Sequence, residues 1–179
     1  MPDFVNGLPL HALVVHGVVV LVPLAVLGAV VIALWPAARQ RHGWLVVAVA
    51  AVGTAMVPVA AGSGEGLERK LPENPLIEEH AELGGTLIFF VLPLLLSVLA
   101  LMVVHTVAAK ATAPSTPAPG APGDTVTTTR TAPAWTKVAL VVTALLSIGF
   151  GVAAGVQVYR VGDAGSKAVW EGVEDQPSR

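Results

Sequence analysis

Five histidines, at positions 11, 16, 42, 80 and 105, carry most of the ligand chemistry open to a chain of 179 residues that has no cysteine. Without cysteine there is no disulfide, no thiolate metal site, no iron–sulfur ligation and no CxxCH haem attachment. Two neutral imidazoles from different helices are instead the ligation expected of a non-covalent b-type haem. His80 is one expected axial ligand. His16, or failing it His11, is the other, since both lie within the first turns of the first apolar run, on the side where the third helix also begins. The two are five residues apart, which on a helix separates them by about 140°, so only one of them can face a bundle interior. Gly84 follows His80 by one turn and Gly17 follows His16, which leaves room for the edge of a flat ligand.

With both axial positions taken by histidine, such a centre passes electrons and is not an enzyme. A second chemistry is a divalent metal, zinc or a similar ion, held by His80, Glu79 and Glu82 of the EEHAE cluster with His11 or His16. The plainer reading is no cofactor at all. Membrane histidines often sit at an interface or bond a backbone carbonyl, and an acidic first turn suits a helix dipole without any metal. His105 shares the face of His80 further down and could pair with His42. No G-x-S-x-G, Walker loop or GxGxxG is present.

The elements that must position these side chains are membrane spans. Hydrophobic residues make up 54% of the chain and charged residues only 12%, against about a quarter charged in a soluble domain. A net charge of −2 offers no basic surface for nucleic acid. The apolar residues gather into four runs, predicting an all-α fold: a four-helix transmembrane bundle forming one membrane domain over 1–179. Spans are expected near 8–35, 44–61, 83–109 and 138–159. Pro23 and Pro93 should kink the first and third. The GSGEG segment from Gly62 to Gly66 should end the second. Asn74 and Pro75 read as N-cap and first turn of the third helix, which then stands about two turns outside the membrane.

Between the third and fourth spans, residues 110–135 hold five prolines and seven threonines, a composition expected of a disordered linker. Residues 160–179 form an extramembrane tail, where Asp163 could cap a short C-terminal interfacial helix. Gly151 and Gly155 make a small-xxx-small face. In a structural or partner-binding module, that face would serve a membrane protein partner or a homo-oligomer, and the histidines would be incidental. No sequence repeat is detectable.

Lysine and arginine divide equally between the two sides. The first span decides orientation, because no basic residue precedes it and Arg39 and Arg41 follow it, which predicts a multi-pass cell-membrane protein with both termini outside.

The run LPLHALVVHGVVVLVPLA, from Leu8 to Ala25, with His80 and the GDAGSKAVWEGV tail, resembles the bacterial four-span membrane family called domain of unknown function 2231. That family has two leading histidines, matched by His11 and His16, and a histidine near the third span. Ala12, Gly17 and Val18 depart from its His-Pro-x-x-x-His-Phe-Pro-like pattern. The resemblance implies four spans and brings no assigned activity.

Overall fold

The computed structural model describes residues 4–5, 7–112 and 133–171. A two-residue hairpin pairs β1 (Phe4–Val5) with β2 (Leu8–Pro9), with Gly7 in its turn at φ +80°. The other elements among the described residues are helices: α1 (Leu10–Leu34), α2 (Pro36–Glu68), α3 (Pro75–Thr86), α4 (Ile88–Thr112) and α5 (Ala134–Trp170). Since α3 runs into α4 with only Leu87 between them, four helical stretches are long and apolar enough to cross a membrane. Most of the linker, residues 113–132, and the end of the tail, residues 172–179, lie outside the described residues.

The α1–α2 corner follows from proline chemistry. Trp35 is extended (φ −116°, ψ 102°) because the residue before Pro36 is forced out of the helical region, and Pro36 then starts α2 at N1. Arg39 is 7% exposed, and its guanidinium donates to Ile32 O at 2.9 Å and Ala33 O at 3.2 Å. It thereby takes up carbonyls that the end of α1 leaves unpaired. At the start of α3, Asn74 accepts from Leu76 N–H at 2.9 Å, ahead of Pro75 at N1 and Glu78 in the first turn.

Two expectations require correction. The GSGEG segment does not end the second helix, since α2 continues through it to Glu68. Each helical glycine costs about 1 kcal/mol relative to alanine, but here α2 packs on α1 and α3, and tertiary packing overrides propensity. There is likewise no separate C-terminal helix among the described residues. Instead α5 passes Tyr159 unbroken to Trp170, with an exposed Lys167–Asp163 ion pair of 2.7 Å along its outer turn.

The core runs along the bundle axis through Val22, Ala29, Ile32, Val57, Leu94, Val98, Leu101 and Met102. Met102 fits because Gly43 faces it; a Cβ at that position would overlap the thioether. Large apolar side chains also cover the outside, among them Val20, Leu27, Phe89, Leu96 and Leu145. A surface of that kind belongs against lipid. The end where α1 and α3 begin and α2 and α5 finish is called the upper end below.

Candidate functional site

At the upper end α1, α2, α3 and α5 line a half-open pocket of about 410 Å³, within the roughly 300–1,000 Å³ typical of cofactor and ligand pockets. Its walls are mostly apolar, from Val15, Val18, Val57, Leu87 and Val158 among others, and His11 and His80 both line it. The two imidazoles lie with ring centroids 6.2 Å apart and planes crossed at 84°.

Each ring is held from behind by a helix other than its own. His11 Nδ1 lies 2.9 Å from Ala60 O on α2, and His80 Nδ1 lies 2.9 Å from Val161 O on α5. A carbonyl only accepts, so each Nδ1 carries a proton and donates, and in the neutral ring Nε2 is the nitrogen left with the lone pair. One turn past each acceptor stands a glycine. A Cβ on Gly64 would come 3.0 Å from the His11 ring, and one on Gly165 would come 2.9 Å from the His80 ring. Both rings therefore rest against bare backbone. The unbroken upper part of α2 has its use here, because Gly64 must lie on a helix to sit one turn beyond Ala60.

His80 thus meets His11 and not His16. His16 is exposed on α1, with Nδ1 bonded back to Ala12 O of its own helix. The space beside Gly17 is filled by Met56, whereas a Cβ at Gly84 would meet nothing and Gly84 lines the cavity. Glu79 and Glu82 are exposed and line no part of it. Among the described residues no three histidine, cysteine, aspartate or glutamate side chains gather as a metal would require. His42 is exposed near the α1–α2 corner and His105 is half-buried on α4. The Gly151 and Gly155 face is used inside the chain, against Val26 of α1 and Leu94 of α4.

Sequence reasoning missed the four groups that aim the rings. Ala60 O and Val161 O are backbone atoms and leave no trace in residue type. Gly64 lies in a segment whose glycines read as helix breakers, and Gly165 lies in what reads as a separate short helix outside the membrane. Glu65 and Glu68, which bring carboxylates to the cavity lining, become visible only once α2 is known to continue past Gly64.

No curated protein and no solved structure matches the chain significantly. The family described as predicted membrane protein DUF2231 matches residues 7–175, a stretch that spans all four membrane-length helices, both histidines of the cavity and both glycines behind them. The chain belongs to that family.

Proposed function

We propose that this protein is a membrane electron carrier that holds a b-type haem between His11 and His80, in a cell membrane with its upper end outside. One observation carries the reading: the 6.2 Å between ring centroids. A metal–nitrogen bond of about 2.0–2.1 Å, plus about 1.1 Å from nitrogen to ring centre on each side, puts two imidazoles on opposite faces of one metal about 6.3 Å apart. Two side chains alone leave a metal under-coordinated, and a porphyrin supplies the four remaining donors.

The donors and walls fit that group. Both Nε2 atoms are available, the walls are apolar, and the site opposite Gly84 is open. When bound, haem supplies a one-electron couple. The chain's own part is to hold the two imidazoles, fix each ring's orientation through its Nδ1–H bond to a carbonyl, and surround the group with the apolar side chains of the walls. His11 and His80 would be the two residues that hold it.

The test is the visible spectrum of full-length protein purified from membranes with haem supplied during expression. A Soret band that is lost in His11→Ala and in His80→Ala, and kept in His16→Ala, is the expected result. A colourless, metal-free wild type would sink the reading and leave a structural or partner-binding module. Stoichiometric metal without porphyrin would overturn the haem and leave a metal ion at the histidine pair.

A further inference from the structure

The same clamp is built twice. An imidazole from near the start of one helix bonds through Nδ1 to a carbonyl on a second helix, and its ring lies on the glycine one turn beyond that carbonyl: Ala60 and Gly64 for His11, Val161 and Gly165 for His80. Residues four apart on a helix share a face. Each ring therefore has two fixed points on one helical surface, a hydrogen bond and a backbone contact, which together set its plane. The clamping helices are α2 for one ring and α5 for the other, and the planes they set differ by 84°. Nothing in this arrangement depends on a ligand between the rings.

From this we infer that Gly64 and Gly165 are positioning residues that hold the two histidines in crossed planes, and that the haem of the proposed function, on which this inference rests, is a low-spin centre with crossed axial imidazoles. The orientation of axial ligands by their outer partners is one of the protein's levers on a haem. Each imidazole donates through one π orbital perpendicular to its ring. Parallel rings raise one of the two iron dπ orbitals above the other and give a resolved three-line ferric signal. Crossed rings raise both equally, which leaves the pair almost degenerate and gives a single, strongly anisotropic feature at large g.

A methyl group on either glycine would push the ring off its plane, since the Cβ would stand 2.9 to 3.0 Å from ring atoms, closer than carbon atoms pack at about 3.5–4.0 Å. The ring must turn about its bonds or slide along the carbonyl. Because the carbonyl holds Nδ1 in place, turning relieves the overlap, and the crossing angle then falls away from a right angle while both nitrogens remain in the site.

The experiment is low-temperature electron paramagnetic resonance of the ferric full-length protein, with the optical spectrum recorded on the same samples. The wild type should show the single large-g feature. Gly165→Ala and Gly64→Ala should each keep a Soret band and shift the signal toward the three-line form, whereas Gly149→Ala, whose Cβ would meet nothing, should leave it unchanged. A wild type with a histidine-dependent Soret band and a three-line signal would overturn the crossed planes and leave the haem reading standing. Variants whose signal matches the wild type would overturn the role of the glycines. If an alanine variant fails to accumulate, the wild-type spectrum alone still decides the crossing angle. A wild type with no Soret band would remove the haem reading, and this inference with it.

Discussion

Gln157 shows how much a single side chain does near the site without touching it. It is 3% exposed on α5, and its Nε2 donates to Leu83 O at 3.1 Å and to Thr86 Oγ1 at 2.9 Å, where α3 gives way to α4. In the bilayer these groups have no water to turn to. Gln157→Leu keeps the bulk and removes both bonds, so it should destabilise the protein by about 0.6–2 kcal/mol, the scale of interhelical polar contacts in membranes. Thermal unfolding in detergent reads this directly, and an unchanged midpoint would show that the bonds are incidental. Because Gln157 ties α3 to α5 one turn from Val161, the variant should also loosen the His80 clamp. At this scale the sequence disclosed residue type well and direction poorly. That His11 or His16 faces inward followed from their spacing; that it is His11 depended on Ala60 O, which no residue letter records.

Among the elements, the apolar runs were legible because an uncharged stretch of about 20 residues has few other uses. The start of α3 was equally plain, since Asn74, Pro75 and Glu78 each favour it by a separate mechanism. The ends of α2 and α5 were not legible. Gly62 to Gly66 and Gly162 to Gly165 carry weak helix formers, and what keeps them helical is contact with histidines far away in the chain. The connection between α4 and α5 presents the opposite case, a segment whose composition offers no large apolar side chain to bury. Replacing residues 113–132 with about ten glycines and serines should leave expression and thermal stability nearly unchanged, since halving the length of a connection alters its closure entropy by only about 0.6 kcal/mol. Loss of folded protein on that replacement would show that the segment docks on the bundle.

At the scale of the whole molecule, the described residues form four membrane-length helical stretches, so both ends of the described chain lie at the upper end. The proposed sidedness rests on Arg39 and Arg41 following an unflanked first span. A reporter inserted at residue 120 should behave as cytoplasmic, and one fused after Arg179 as extracytoplasmic. The reverse pattern would invert the bundle without altering its interior. Sidedness was the least legible property, because ten basic residues divided five and five leave one local asymmetry to decide it.

The unbroken length of α5 makes it a lever. From Ala134 to Val161 it extends about 40 Å, so a rigid tilt of about 5° about its lower end would carry the Val161 carbonyl about 3.5 Å sideways. A hydrogen bond tolerates only a few tenths of an ångström before it weakens. The grip on His80 therefore survives only while this rod is braced to within about half a degree. Its bracing lies in its packing against α1, α3 and α4 and in the bonds from Gln157. What reads locally as one contact between an imidazole and a carbonyl is a mechanical tolerance set across the full depth of the membrane.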